Sequence, residues 1–316
     1  MTAGAVSAPA SPPAELDLRV DLGRGLVLPN PVGVASGTFG FGIELEPVVD
    51  IQRLGCIWTK GTTREAREGN PPPRVAETAG GMLNSIGLQN PGVDHVAGVY
   101  ARHFAAWRVP VVVNVAGGCV EDYVHCVQRL DGVAGVAGIE LNISCPNIAH
   151  GLDLGRDPAA AARVVAAVRA VTELCVVVKL SPNVTDIAAV ARAVEDAGAD
   201  AVSAVNTYIG MKVHLAARRP VLPRGTGGLS GPAIKPLALA AVAQVRAAVA
   251  IPVVGIGGIA SGSDALEFFV AGADAVQVGT ASFTDPSASL RVLDGMVDQA
   301  GSLGLSRLTE LRWTPS

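Results

Sequence analysis

From Pro31 onward, short apolar runs of strand type alternate with Ala-rich stretches whose apolar positions recur at helical spacing. The strand candidates are residues 32–36, 56–60, 111–114, 138–142, 176–179, 201–206, 253–257 and 275–279. Helical patterns fall between them near 46–54, 93–107, 121–130, 158–172, 186–197, 232–248 and 261–271, with a last one after Pro286. Alternation of this kind marks repeated βα units around a parallel sheet, and eight pairs predict a (β/α)8 TIM barrel. Upstream, residues 16–28 alternate around Gly23-Arg24-Gly25, which predicts a β-hairpin that plugs or edges the barrel. The barrel unit is therefore expected over 16–316. Residues 1–15, rich in Ala, Ser and Pro, are expected as a disordered tail, with neither the basic start nor the apolar core of a signal peptide.

The residues at the carboxyl end of each strand candidate add chemistry to this outline. They are Ser36, Lys60, Asn114, Asn142, Lys179, Asn206, Gly257 and Gly279 in turn. Asn and Gly singly are common terminators. Eight polar or glycine ends after apolar interiors are how a barrel builds one site from all its strands. Glycine-rich turns follow the last two strands, at Gly255-Ile256-Gly257-Gly258 and Val278-Gly279-Thr280-Ala281. Backbone N–H groups in such turns bind phosphate, so a phosphorylated cofactor is expected. The run 255–260 also matches GxGxxA, with Asp274 beyond it. That match falls late in the chain and Asp274 precedes the next strand, which argues against a dinucleotide fold.

Composition narrows the partners. Hydrophobic residues make up 49% and charged ones 16%, with 37 glycines, as buried parallel strands under Ala/Val-rich helices require. A net charge of -4 without Lys/Arg clusters argues against nucleic acid, and no apolar run is long enough to span a bilayer, so small molecules are the expected partners. Five cysteines form no CxxC pair and no metal spacing, which suggests a reducing, cytoplasmic setting. Cys56 and Cys175 sit in apolar runs and read as packing residues, while Cys119 and Cys126 occupy loop and helix positions. Cys145 differs. In the run 138–147 an apolar strand ends in polar side chains, a cysteine and a proline, so Cys145 is expected on a loop where a thiol is either reactive or inert packing. His150 nearby suggests a Cys–His hydrolase, but no orienting Asn or Asp can be assigned to it.

Seven motifs in order, Ala35-Ser36-Gly37-Thr38-Phe39-Gly40, Thr59-Lys60-Gly61, Asn84-Ser85-Ile86-Gly87-Leu88-Gln89-Asn90-Pro91-Gly92, Asn142-Ile143-Ser144-Cys145-Pro146-Asn147, Val205-Asn206-Thr207, Gly227-Gly228-Leu229-Ser230-Gly231-Pro232 and Val278-Gly279-Thr280, resemble the class 1 dihydroorotate dehydrogenases. The resemblance runs from about Leu16 to the last helix and implies an FMN enzyme that oxidises dihydroorotate to orotate in pyrimidine biosynthesis. It implies FMN contacts at Ser36, Lys60, Gly61, Asn114, Asn142, Lys179, Val205, Gly231, Gly257, Gly258, Gly279 and Thr280. It implies substrate contacts at Lys60, Asn84, Ser85, Ile86, Gly87, Leu88, Asn142, Asn206 and Thr207, with Cys145 as the catalytic base and Lys179 as a second catalytic group.

Elementary chemistry agrees with these roles. Oxidising a C–C bond beside a carbonyl needs a base for the C5 proton and an acceptor for the C6 hydride, which no unmodified side chain provides. A lysine ending a buried strand is costly unless it faces negative charge, such as a reduced flavin. Asparagine amides suit a planar ligand edged by C=O and N–H groups. The stretches 151–158 and 211–236 look more like the NAD-linked 1B form than the fumarate-linked 1A form, and the fusion-type residues of dihydropyrimidine dehydrogenase, the other alternative, are not obvious in this shorter chain. The 1B resemblance implies a homodimeric core joined to a subunit carrying FAD and an iron-sulfur cluster. The rival readings are a thiol hydrolase and a barrel that only binds a nucleotide.

Overall fold

All eight expected strands form and close on one another. They are β1 (Val32–Val34), β2 (Cys56–Trp58), β3 (Val111–Val115), β4 (Val136–Asn142), β5 (Cys175–Lys179), β6 (Ala201–Ala204), β7 (Val253–Ile256) and β8 (Ala275–Val278), all parallel, with β8 pairing back to β1. The computed structural model describes residues 16–144 and 154–314, so the N-terminal tail expected over 1–15 lies outside the described residues. Helices follow most strands at the expected places, including Val120–Leu130, Pro158–Arg169, Ile187–Asp196, Lys235–Arg246, Gly262–Val270 and Ala288–Ser302. Side chains cap their starts: Asp157 accepts from Ala159 N at 2.9 Å with Pro158 behind it, and Asp186 accepts from Ala189 N at 3.0 Å.

Strand geometry sends alternate side chains inward and outward, and the two sets make two cores. Outward residues such as Ile139, Leu141, Val176, Val178 and Val276 pack with the helices. Inward residues Cys56, Trp58, Val112, Val177 and Val254 meet Leu22, Leu26 and Leu28 from the N-terminal hairpin. That hairpin pairs Val20–Asp21 with Val27–Leu28 and plugs the barrel rather than edging it. Each fully buried leucine stabilises the fold by about 1.5–3 kcal/mol. Trp58 spans the interior so closely that a Cβ on Gly33 would lie 2.3 Å from its ring.

Two expectations are corrected. Residues 46–54 do not form an α-helix; they are turns leading to a single 3-10 turn, Ile51–Arg53, capped by Asp50. Pro47 has no N–H to donate, and Asp50, at ψ 81, takes the chain out of helical geometry. In addition, residues outside the barrel form an antiparallel sheet of Val75–Thr78, Gly81–Asn84, Gly227–Ser230 and Tyr208–Gly210, which the sequence reading lacked. The strand interiors are also not wholly apolar, since Asn114, Glu140, Ser203 and Gln277 are fully buried within them.

The repeated run Ala-Gly-Ala-Asp-Ala-Val, at 197–202 and 271–276, builds the same clamp twice at the amino ends of the strands. Asp200 accepts from Val176 N at 2.8 Å and from Arg169 at 2.8 Å; Asp274 accepts from Val253 N at 2.8 Å and from Arg246 at 3.4 Å. Each arginine also donates to carbonyls closing its helix, Arg169 to Leu174 O at 2.9 Å and Arg246 to Ile251 O at 3.1 Å. A second arginine completes each carboxylate, Arg24 on Asp200 and Arg312 on Asp274. Gly198 and Gly272, at φ 98° and 105°, turn each helix end beneath its arginine, a conformation that other residues strain to adopt. Asp274 is thus a structural clamp, as its position before a strand suggested. Asp274→Ala should lower unfolding free energy by about 2–4 kcal/mol in urea titration, because two arginines and a backbone N–H lose their partner, while cofactor binding at the opposite face stays near native.

Candidate active site

At the carboxyl ends of the strands the barrel opens into a cavity of about 740 Å³, within the range of small-molecule sites. From the strand ends come Ser36, Lys60, Gly61, Asn142, Lys179 and Val205; the last two turns add Gly257, Gly258, Gly279 and Thr280. Gly231, just after the outer sheet, lines it too. The run Asn84, Ser85, Ile86, Gly87 and Leu88 begins as the strand Gly81–Asn84 ends, and with Asn206 and Thr207 it forms another wall. The sheet missing from the sequence reading therefore carries part of the site.

Asn114 is the exception. It is fully buried and does not line the cavity, because β3 runs on to Val115 and the Asn114 side chain turns into the barrel centre. Its Nδ2 donates to Glu140 Oε2 at 2.6 Å, while Glu140 Oε1 accepts from Ser203 Oγ at 2.7 Å and Gln277 Nε2 at 3.0 Å. Neither Asn114 Oδ1 nor Gln277 Oε1 has a hydrogen-bond partner. Glu140 escaped the sequence reading, although a charged residue between Gly138 and Asn142, at the inward spacing of two, was visible there.

The cavity side chains are held before any ligand arrives. Asn142 Oδ1 accepts from Asn206 Nδ2 at 3.2 Å and Ser144 N at 3.3 Å, so its amide N–H groups remain for a ligand. Asn206 Oδ1 accepts from Thr207 N at 2.8 Å, and Asn84 Nδ2 donates to Gly228 O at 3.1 Å. Thr280 Oγ1 donates to Ser230 Oγ at 2.8 Å beside the glycine turns. Asn70, Arg156, Ser181, Asn183 and Arg224 also line the cavity and were not singled out from the sequence.

Two lysines, beside Arg156 and Arg224, bring positive charge to the cavity. Lys179 is buried at 6% exposure and Lys60 is half-buried. Burial pushes the Lys60 ammonium below its usual range, Glu44 partly opposes this, and Arg74 adds to it. The buried thiols elsewhere are held protonated by their surroundings. Burial raises Cys126 and Cys175 to about 12, and it raises Cys56 well above the ordinary value, with the charge of Glu140 adding to the effect. Cys56 and Cys175 are packing residues, as expected. Cys145, His150 and the segment 151–153 lie outside the described residues.

The family profile described as "Dihydroorotate dehydrogenase" matches residues 21–299. The chain belongs to the dihydroorotate dehydrogenase family. A protein of Desulforamulus reducens is 51% identical over 298 residues, covering 94% of this chain and 98% of that protein. One of Geobacter metallireducens is 52% identical over 296 residues, covering 93% and 97%. One of Listeria innocua is 50% identical over 289 residues, covering 91% and 95%. Each is named dihydroorotate dehydrogenase B (NAD(+)), catalytic subunit. Membership in the dihydroorotate dehydrogenase family accords with the TIM barrel and with the motifs gathered at its carboxyl face. Among the described residues, no helix is long and apolar enough to cross a membrane.

The depressed Lys60 makes a sign-definite prediction. A bound carboxylate raises the lysine pKa again, so anion affinity is fullest below the free-state value and falls as pH rises through it. Lys60→Met should weaken carboxylate binding at neutral pH at least about tenfold and remove that pH dependence, as isothermal titration across pH 7 to 10 would show. The same variant, relieved of a partly desolvated charge, should melt no lower than the native chain when ligand is absent.

Proposed function

We propose that this chain is the FMN-dependent catalytic subunit of an NAD-linked dihydroorotate dehydrogenase, oxidising dihydroorotate to orotate in pyrimidine biosynthesis. The observation that carries this reading is the convergence of the expected contact residues from Ser36 to Thr280 on one cavity, with only Asn114 beneath it among those that are described. The residues fit FMN. The turns at Gly257-Gly258 and Gly279-Thr280 offer backbone N–H groups to a phosphate. The orphaned Oδ1 of Asn114 awaits an N–H donor, and the amide of Asn142 can donate to a ring carbonyl.

FMN, when bound, supplies the hydride acceptor that protein side chains lack. The chain does the rest. Lys60 faces the substrate carboxylate, and Asn84, Asn142, Asn206 and Thr207 hold the ring, with Ser85 to Leu88 closing one wall. Cys145, three residues past the end of β4 in the sequence, takes the C5 proton as thiolate. Lys179 keeps a fixed positive charge in the cavity wall, where developing negative charge is stabilised without reorganisation.

Electrons leave through a partner subunit bearing FAD and an iron-sulfur cluster, bound to a homodimeric core. The catalytic-subunit names of the relatives support an assembly, as do the exposed side chains of Ile209, Met211, Val213 and Leu215 on one arm beside the cavity. The described thiols are unpaired, in keeping with a cytoplasmic enzyme.

Purified, flavin-loaded protein should be bleached by dihydroorotate and should reduce dyes but not NAD; a chain that is not bleached would sink the assignment. Lys179→Ala should slow bleaching on the order of 100-fold or more while retaining flavin. Cys145→Ser should lose most of its bleaching rate near neutral pH and keep orotate affinity, because a hydroxyl is a far weaker base than a thiol with pKa about 8.5. Stopped-flow across pH, beside orotate titration, reads both. Native-like bleaching by the serine variant would move the base elsewhere.

A further inference from the structure

Among the described residues the buried charged side chains are Glu140 and Lys179 alone. They stand on neighbouring strands: Asn142 pairs with Lys179 in the β4–β5 register, and Glu140 sits two residues below. Lys179 reaches the cavity; Glu140 does not. All the hydrogen bonds recorded at Glu140 are donated to it by neutral groups, namely Asn114 Nδ2, Ser203 Oγ and Gln277 Nε2.

A carboxylate only accepts, so the two amides bonded to it must present their NH2 groups and turn their oxygens elsewhere. Both oxygens are orphaned in consequence. Leaving a buried acceptor unpaired costs about 1–3 kcal/mol, and apolar packing in place of a buried charged network is often neutral or stabilising. A purely structural network would avoid both burdens. The free Oδ1 of Asn114 lies under the cavity floor, since a Cβ on Gly61 would come within 3.2 Å of it, and Gly61 lines the cavity.

We propose that Glu140 is a positioning residue of the cofactor pocket: by accepting from the amide of Asn114 it fixes that residue's oxygen as an acceptor for a ring N–H of the flavin, and its charge tunes that flavin. The inference rests on the FMN reading above and deepens it. Asn114 touches the ligand; Glu140 makes no contact with it and acts through its neighbours and its field. An amide at position 140 would bring its own NH2 into the cluster, where it can be satisfied by rotating Asn114, which would then offer the flavin a donor in place of an acceptor.

The test uses the full chain, stripped of flavin and titrated with FMN. Glu140→Gln should weaken FMN binding about tenfold or more, the loss of roughly one well-made hydrogen bond. It should also shift the bound flavin's visible spectrum and move its midpoint potential upward, because a nearby negative charge that opposes reduction is gone. The double variant Glu140→Gln with Asn114→Asp exchanges amide and carboxylate, restoring both an oxygen toward the ligand and the charge. It should return FMN affinity to within about threefold of native. Ser203→Ala removes a donor with no second end to orient, and should lower the melting temperature with little change in FMN affinity. Glu140→Gln with native FMN affinity, spectrum and potential would overturn the proposal, as would failure of the exchange to restore affinity. Should Glu140→Gln not fold, Asn114→Leu against Ser203→Ala decides: weaker FMN binding with an altered flavin spectrum confined to Asn114→Leu supports the proposal, and equal effects overturn it. A native chain that takes up no FMN would count instead against the FMN reading.

Discussion

Closure of eight parallel strands forces every second side chain into a space of fixed width, and the rest of the molecule follows from how that space is filled. Near the amino ends it is filled with hydrocarbon: Trp58, Val112, Val177 and Val254 against the hairpin residues Leu22, Leu26 and Leu28. At mid-height the inward positions are polar, with Glu140 bonded to Asn114, Ser203 and Gln277. At the carboxyl ends the inward positions pass to lysine, asparagine and glycine, and the space is left as a cavity. The apolar plug excludes water from below, so polar groups above it act in a medium of low effective dielectric where each interaction is stronger. The plug and the site are two consequences of one alternation.

The division between stability and chemistry also runs along the barrel axis. The clamps at Asp200 and Asp274 tie helix ends to strand starts on the amino face, far from the cavity. Because they hold the strands by their starts, the carboxyl ends can carry costly groups without loosening the barrel. Lys60, depressed by burial, and the orphaned oxygens of Asn114 and Gln277 are such costs. Groups of this kind gather where a ligand completes them.

The eight strands were legible because each is a short apolar run buried on both faces, bounded by turn residues, with helices of clear period between. The expected contact residues that line the cavity were legible from strand ends and motifs, whereas lining residues such as Asn70, Ser181, Asn183 and Arg224 were not. The failures have separate physical causes. Residues 46–54 show apolar positions at helical spacing, but Pro47 and Asp50 redirect the backbone into turns. The outer sheet consists of short, glycine-containing strands such as Gly227–Ser230, whose alternation is too brief to register. Asn114 was read as a strand end facing the ligand, whereas β3 continues one residue further and its side chain lies one layer down. Glu140 was hidden by treating strand interiors as uniformly apolar.

That last oversight points to how the site obtains its polarity. Amides are ambivalent, each offering a donor and an acceptor, so asparagine and glutamine alone would leave a pocket floor whose pattern could invert. A group that only accepts, placed beneath them, removes the ambiguity at Asn114 and Gln277. Above, Asn142 is fixed the opposite way, its oxygen taken by Asn206 and Ser144 so that its N–H groups face outward. The free amide oxygen of Asn114 thus lies beneath the cavity floor, while Asn142 offers its N–H groups one layer higher, in register with Lys179. A planar heterocycle with alternating C=O and N–H edges is the ligand such an order suits, and it can be recognised without rearrangement of the barrel that holds it.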